Sequence, residues 1–358
     1  MKIFMLIKWL HNSGAPRMFA WLANGLAEKG HDVIVYTYHD YDGESVALSR
    51  KVHHIHQSLD GVGLMGKIKH IRGIIRKEDP DVSISFLLDA NVFNLFSCYG
   101  LRTKSVVCER NDPFKPHYYK LYFWKPCFRL ADGAVFQLPR VAEFYSNIKG
   151  VTAVIPNPVK KTDFVVSKAF LDRDNEIVTV GRIDIAQKRH DVLIKAFAKF
   201  HCNHPSYHLT IYGWGDEKDV EKIKNIISEL NLHDSVTLAG AVTDSTKRIT
   251  NAKMFVLSSD FEGIPNALIE AMSVGLPCVS TDCRPGGAAI LINNGVNGLL
   301  VPAGDVSALA QGMSYLVEYP GVADKLAKEA TNISDRFSED IILNKWEDYL
   351  KCLSQNQC

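Results

Sequence analysis

The chain alternates two kinds of hydrophobic pattern. Short, nearly uninterrupted apolar runs bounded by turn residues predict strands buried on both faces of a parallel sheet. They are Lys2–Ile7, His31–Tyr38, Asp81–Leu88, Lys104–Arg110, Ala131–Gln137 and Val151–Val159, then Glu176–Gly181, the run YHLTIY, Ser235–Val242, Ala252–Ser259, Cys278–Thr281 and a short strand in the tail Asn293–Asp305. Between them, apolar residues recur every three or four positions, which predicts amphipathic helices. Pro16–Lys29 places Phe19, Leu22, Ala23 and Leu26 on one face and stops at Gly30. A helix beginning near His190–Asp191 does the same with Val192, Leu193, Ala196, Phe197 and Phe200. Further helices are read over Met65–Lys77, Val220–Leu230, Asp305–Val317, Gly321–Asn332 and Glu339–Ser354. Strand and helix alternating in this way, twice over, predict two α/β domains. Pro156, Pro158 and the polar run to Asn175 mark the boundary.

Length agrees with that division, since 358 residues exceed one ordinary core at about 150 residues per domain. The 46% hydrophobic and 23% charged content is that of a globular protein. The net charge of +1 conceals an asymmetry: Met1–Asn157 carries 20 Lys and Arg against 14 Asp and Glu, and the remainder 21 against 26. A basic first half and an acidic second half suggest different partners. The eight cysteines form no metal or redox spacing, which favours free thiols in a reducing compartment. No apolar stretch reaches the roughly 20 residues of a membrane span, so a cytoplasmic protein is expected. Two segments offer contact with an anionic membrane surface as an alternative to ordinary packing, which for the first remains the primary reading. One is the basic helix Met65–Lys77; the other is Tyr118–Arg129, read either as a core helix broken at Pro126 or as a lipid-interface segment with Lys120, Lys125 and Arg129 near phosphates.

Candidate chemistry gathers where strands end. In an open α/β sheet, ligands bind beyond the carboxyl ends of the strands. The stretch Ser258–Pro302 reads strand, turn, helix, strand, and carries Glu262 and Glu270 with seven residues between them. Gly263 lies in the turn, Ile264 follows it, and Pro265 has the φ suited to the first helical position. Such a helix start offers free N–H groups and a positive dipole end to a phosphate. Gly181-Arg182 follows one strand directly, Lys188 comes six residues later, and Gly213-Trp214-Gly215 follows another strand. With the loop after Val242, this set offers two cations, a helix N-terminus and two hydroxyl acceptors, which matches a diphosphate flanked by sugars. Arg182 and Lys188 are suited to neutralising a diphosphate leaving group. No Asp-x-Asp stands in a place to hold a metal, so none is expected. In the first half, Gly14 opens the first helix, and Glu109-Arg110-Asn111 ends a strand. The first βα turn holds Gly14 alone and lacks G-x-G-x-x-G, which weakens a dehydrogenase reading.

Taken together, Gly181-Arg182 with Lys188, Phe261-Glu262-Gly263 with Glu270, and Gly295 through Asn297-Gly298-Leu299-Leu300-Val301-Pro302 resemble the retaining glycosyltransferases of family 4. Ser13-Gly14-Ala15, Gly30-His31-Asp32-Val33 and Val154-Ile155-Pro156-Asn157-Pro158 extend the likeness over nearly the whole chain. The resemblance implies a GT-B fold of two facing Rossmann-like domains. These would be residues 1–158, with a last helix from about 337 crossing back to them, and residues 159–336. It implies transfer, without cofactor or metal, from a nucleotide sugar, UDP-linked in many members, to a growing and often lipid-linked glycan; nucleic acid is not a partner. Arg182 and Lys188 would then hold the diphosphate, Glu270 the ribose, Glu262 the donor sugar, and the backbone at Gly263 and Ile264 the phosphates. The turn after Gly240 would meet the base, and the acceptor would sit near Gly14 and Glu109–Asn111. Two positions depart from the family pattern: Cys108-Glu109-Arg110-Asn111 stands where many members carry a histidine, and Ala289 replaces the second acidic residue of the Gly-rich turn. A UDP-sugar epimerase and a non-catalytic sugar-nucleotide-binding protein are the alternatives.

Overall fold

The structure is a computed structural model that describes residues 1–110, 113–114, 119–159, 168–242 and 245–355. The chain divides into two units, Met1–Asn157 with Asp340–Cys358, and Pro158–Glu339.

The first unit is built on seven parallel strands: β1 (Lys2–Ile7), β2 (Asp32–Thr37), β3 (His53–His56), β4 (Val82–Phe86), β5 (Lys104–Cys108), β6 (Gly133–Phe136) and β7 (Val151–Val154). Their order is β3-β2-β1-β4-β5-β6-β7. β1, β2 and β4 are buried almost throughout, as their continuous apolar runs require. Helix Leu64–Glu78 buries Ile68, Ile71 and Ile75 against the core that includes Phe4, Ile34 and Tyr36. Helix Leu88–Cys98 lies under the sheet with nine of its eleven residues buried. Its Asn94 Oδ1 accepts from Ser83 Oγ at 2.5 Å and its Asn91 Oδ1 accepts from Ser85 Oγ at 2.8 Å, so the polar residues of β4 are satisfied inside the core. The last helix, Glu339–Gln355, returns to this unit. Trp346 is buried, Tyr349 Oη donates to Val151 O at 3.1 Å, and Lys29 pairs with Glu347 at 3.2 Å.

The second unit has six parallel strands: β8 (Asp174–Val180), β9 (His208–Tyr212), β10 (Val236–Gly240), β11 (Ala252–Leu257), β12 (Cys278–Asp282) and β13 (Leu299–Pro302). Their order is β10-β9-β8-β11-β12-β13. Helices His190–His201 and Val306–Glu318 cover the sheet through a core that includes Phe197, Phe200, Met254, Leu309 and Met313. In both sheets the strand order reverses once, between β1 and β4 and between β8 and β11. A reversal of this kind opens a crevice at the carboxyl edge.

The segment Tyr118–Arg129, described from Tyr119 onward, is interrupted beside Pro126 and forms two short pieces rather than one core helix. Tyr119–Trp124 is a single short helix that buries Leu121, and the chain then tightens into a 3₁₀ helix, Lys125–Leu130, that buries Phe128. Tyr119, Tyr122 and Phe123 stay exposed. Among the described residues no helix is long and apolar enough to cross a membrane.

Candidate functional site

The second sheet's crevice is where the sequence-predicted residues meet. Arg182 leaves β8 and Glu262 leaves β11, the two strands between which the order reverses. Backbone bonds continue past the strand ends and hold the loops in line. Gly181 N donates to Tyr212 O at 2.9 Å, Ile183 N to Trp214 O at 2.7 Å and Gly213 N to Gly240 O at 2.8 Å. Gly213 is there because the loops touch: a Cβ on it would lie 1.8 Å from Gly181 O. A Cβ on Gly215 would lie 2.5 Å from Ile183 O, whereas one on Gly181 would lie 3.2 Å from the Lys188 side chain.

Lys188 Nζ lies 2.5 Å from Glu262 Oε1, and both side chains are largely buried. Ser259 Oγ donates to the same Oε1 at 2.7 Å, and Ser258 Oγ donates to Lys188 O at 2.8 Å. The loop bearing Lys188 is fastened to the loop bearing Glu262 three times more, once through Gln187 Nε2, which donates to Phe261 O at 3.3 Å. Arg189 donates to Asp260 at 2.6 Å and to Asp191 at 3.0 Å, and Asp260 N donates to Gln187 O at 2.9 Å. These carboxylates raise the pKa of the Arg189 guanidinium, so it stays charged. Arg182 stands outside this network: it is half-exposed and pairs with Asp184 at 2.5 Å.

Pro265 takes the N-cap position, with extended backbone, rather than the first helical position; the helix is Asn266–Ser273. A cap residue has non-helical ψ, and Pro265 at ψ 103° already has it. Ile264 is buried, Gly263 half-buried, and Glu270 is half-buried at the start of the second turn of this helix. The Gly-rich turn packs directly on this loop: a Cβ on Gly287 would lie 1.4 Å from Gly263 O. Glu262 N donates to Arg284 O at 2.7 Å from the same turn. Val242 is half-buried just beyond β10.

Sequence reading missed three members of this site. Asp184 fixes Arg182, Ser259 shares Glu262, and His190 opens the helix that follows Lys188. His190 is 2% exposed, its Nδ1 has no hydrogen-bond partner, and burial together with the Lys188 charge lowers its pKa to about 4. Asp184 had a signal, lying two residues from Arg182; the other two depend on contacts that sequence spacing does not carry.

In the first unit, Gly14 is the first residue of helix Gly14–Glu28, and a Cβ there would meet nothing within 4 Å. Packing therefore does not require glycine at this point. Glu109 follows β5 and is buried, and its Oε1 accepts from Arg110 N at 3.0 Å. Arg110 stacks on Phe86 at 4.3 Å and donates to Asn157 at 3.5 Å. Burial lowers its pKa. Gly14 and Glu109 share the carboxyl edge, with β4 between their strands. Asn111 lies outside the described residues.

Residues 160–333 match the family described as glycosyl transferases group 1. Over nearly its full length the chain is similar to a lipopolysaccharide core biosynthesis glycosyltransferase, LpsE, of Rhizobium meliloti, at 28% identity over 347 residues covering 94% of this chain and 95% of that one. It is 25% identical over 358 residues, 97% of each chain, to a Campylobacter jejuni α-1,4-N-acetyl-D-galactosaminyltransferase whose name specifies an undecaprenol-diphosphate-linked acceptor. Other relatives are matched in part. The chain is 34% identical over 200 residues to an exopolysaccharide phosphotransferase of Streptomyces coelicolor but spans only 20% of its length, and it spans 59% of another relative. The solved structure of Anabaena HepE in complex with UDP superposes with a TM-score of 0.80 at 18% identity, covering 98% of this chain and 100% of that one. With two parallel Rossmann-like units and neighbours at this level, the fold is GT-B.

Proposed function

We propose, for a chain that belongs to the glycosyl transferases group 1 through residues 160–333, that it moves a hexose or N-acetylhexosamine from a UDP-sugar to a growing, lipid-linked glycan of a bacterial surface polysaccharide, with retention at the anomeric carbon. The observation that carries this reading is the Lys188–Glu262 pair at the switch point of the second sheet, with Arg182 leaving the adjacent strand. Lys188 and Arg182 bring two positive charges to a crevice whose other wall is the N-terminus of helix Asn266–Ser273. That combination suits a diphosphate. The bonds from Lys188 and Ser259 both fall on Glu262 Oε1, so Oε2 is the oxygen assigned to a donor-sugar hydroxyl. Glu270, farther along the helix, is assigned to the ribose. As the glycosidic bond breaks, negative charge builds on the diphosphate, and fixed cations stabilise that charge most in the transition state. Relatives named for lipopolysaccharide and undecaprenol-linked glycans support the acceptor class, and the UDP complex of a protein with the same fold supports the nucleotide.

The reaction is taken to need no metal, because the two cations supply the charge. Transfer that vanished with a chelator and returned with Mg²⁺ would overturn this. A screen of UDP-, GDP- and ADP-sugars by thermal shift and hydrolysis tests the donor: a shift with UDP-sugars alone is expected, and no shift with any of them sinks the reading. The anomeric configuration of the product by NMR tests retention.

The exposed aromatic and basic surface of the first unit suits an anionic membrane. Met65, Tyr119 and Phe123 are each more than two-thirds exposed. Leu64, Lys67, Lys120 and Trp124 line one shallow depression, so helices Leu64–Glu78 and Tyr119–Trp124 form a single face. Apolar insertion with lysines at phosphate level is the expected mode. Phe123→Asp with Met65→Asp should abolish flotation with phosphatidylglycerol vesicles while UDP binding persists; unchanged flotation excludes this face.

A further inference from the structure

A cavity of about 410 Å³ opens at the carboxyl ends of β1, β2 and β3 in the first unit. Nothing in the donor chemistry uses it. Its walls include Trp9, Thr37, Asp40, Tyr41, His54 and His56. We infer that this cavity is a subsite for a neutral sugar unit of the acceptor glycan. The inference rests on the glycosyltransferase reading and extends it to residues that neither the family likeness nor the strand-end pattern singled out.

The aromatic wall comes first. Trp9 and Tyr41 lie with ring centroids 5.9 Å apart, His11 meets Tyr41 edge-on at 5.3 Å, and Tyr41 is 43% exposed. Electron-rich ring faces attract the polarised C–H groups of a pyranose and bring large rigid area at little entropy.

The polar wall is ordered by a chain of hydrogen bonds. His56 Nε2 lies 3.0 Å from Asp40 Oδ1, and a carboxylate only accepts, so this nitrogen carries the proton. With that one proton on its ring, His56 has Nδ1 as an acceptor for the Thr37 hydroxyl 2.9 Å away. The Thr37 oxygen in turn accepts from His54 Nε2 at 2.9 Å. The direction of every bond follows from Asp40 together with a singly protonated His56. Neutral His54 is left with Nδ1 as a lone-pair acceptor, a partner for a sugar hydroxyl. Pairing of Thr37 with His56 across β2 and β3 and the two-residue step back to His54 put the three side chains on one face.

Charge decides the ligand class. Among the described residues that line the cavity, Asp40 and Asp42 are acidic and none is lysine or arginine. A phosphate or diphosphate would meet two carboxylates, and the nearby cation, Lys8, has its Nζ held over the Trp9 ring 4.0 Å from the centroid. An uncharged ring with several hydroxyls fits both walls, and the volume lies toward the small end of ligand pockets, about 300–1,000 Å³.

The test is saturation-transfer NMR on the full chain held in excess UDP. The probes are the methyl α-glycosides of glucose, galactose, N-acetylglucosamine and N-acetylgalactosamine. At least one is expected to show transfer, with affinity falling at least tenfold in Tyr41→Ala and in His56→Ala. Both variants should keep the wild-type melting curve and UDP titration. Tyr41 is exposed, so its truncation leaves the core intact and keeps the test valid if His56→Ala misfolds. UDP binding without saturation transfer to any probe would overturn the sugar subsite and leave the donor reading standing. Displacement of the glycoside by inorganic phosphate would overturn it as well, by showing an anion site. Saturation transfer with no UDP binding would keep the sugar site and refute the transferase reading instead.

Discussion

Lys188 and Glu262 form one buried ion pair across 74 residues of sequence, with Nζ 2.5 Å from Oε1. On the proposed reading a diphosphate entering the crevice competes with Glu262 for Lys188, which makes the pair both a structural tie and the element that has to rearrange. Removing one partner leaves a buried charge uncompensated, which costs about 3–5 kcal/mol. Lys188→Ala is therefore expected to lower both stability and turnover. The double variant Lys188→Met with Glu262→Gln should recover most of the stability, since neither side chain is then charged, and none of the turnover. Arg182 is half-exposed, so Arg182→Ala should leave stability within about 0.5 kcal/mol while turnover falls about 10²–10³-fold. Urea unfolding and initial rates on one set of samples separate the two effects. Wild-type turnover in Arg182→Ala would remove it from the diphosphate site.

The two glutamates are expected to report on opposite ends of the donor. Glu270→Ala should weaken UDP itself, because the ribose is its proposed partner. Glu262→Gln should not weaken UDP, since it releases Lys188 to the diphosphate, but should weaken the intact UDP-sugar relative to UDP and lower the rate. Calorimetry with UDP and with the sugar nucleotide reads the split. Equal losses for both ligands in both variants would show that the carboxylates act together and that the division of roles is wrong.

Much of this site was legible because its residues stand at the ends of uninterrupted apolar runs. β8 and β11 are readable strands, so Arg182 and Glu262 fall at the carboxyl edge without knowledge of the fold. The pairing itself was not legible, since it depends on β8 and β11 being neighbours in the sheet. Other features left no periodic signal. Helix Leu88–Cys98 is buried nearly all round, so it has no polar face to set a 3.6-residue pattern. β3 is an edge strand, HHIH, with only Ile55 partly buried, and without it the cavity lined by His54 and His56 could not be seen. Helices Pro139–Phe144, Ser245–Ile249 and Gly287–Leu291 are too short to show a period. Pro265 shows the limit at a boundary, where one residue separates a cap from a first helical position.

Glycines at the two sites should respond differently to a single methyl group. Gly287→Ala drives a Cβ to 1.4 Å from Gly263 O and Gly213→Ala to 1.8 Å from Gly181 O, both against backbone. Each loop must shift, so both variants are expected to lose stability by about 1–3 kcal/mol and to bind UDP poorly. Gly14→Ala meets open space, and its stability should stay within about 0.5 kcal/mol of wild type. If the acceptor approaches the start of that helix, as proposed, transfer falls in Gly14→Ala while donor hydrolysis is kept. Unchanged transfer would place the acceptor away from Gly14.

His190 makes the second unit sensitive to acid. Its pKa falls from the ordinary value of 6.5 to about 4 in the folded chain, through burial first and the Lys188 charge second. The unfolded chain therefore binds a proton between those two values that the folded chain refuses. Stability rises with pH wherever the unfolded state holds more protons. It is thus fully present above about pH 6.5 and is lost as pH falls toward 4. A shift of this size corresponds to about 3 kcal/mol. His190→Gln keeps a polar side chain of similar length and does not titrate. Between pH 7 and pH 4.5 the wild type is expected to lose at least 2 kcal/mol more than this variant, an amount on the order of the linkage term. Urea unfolding at the two pH values measures the difference. Parallel losses in the two proteins would show that His190 is protonated without penalty and that its cavity admits water.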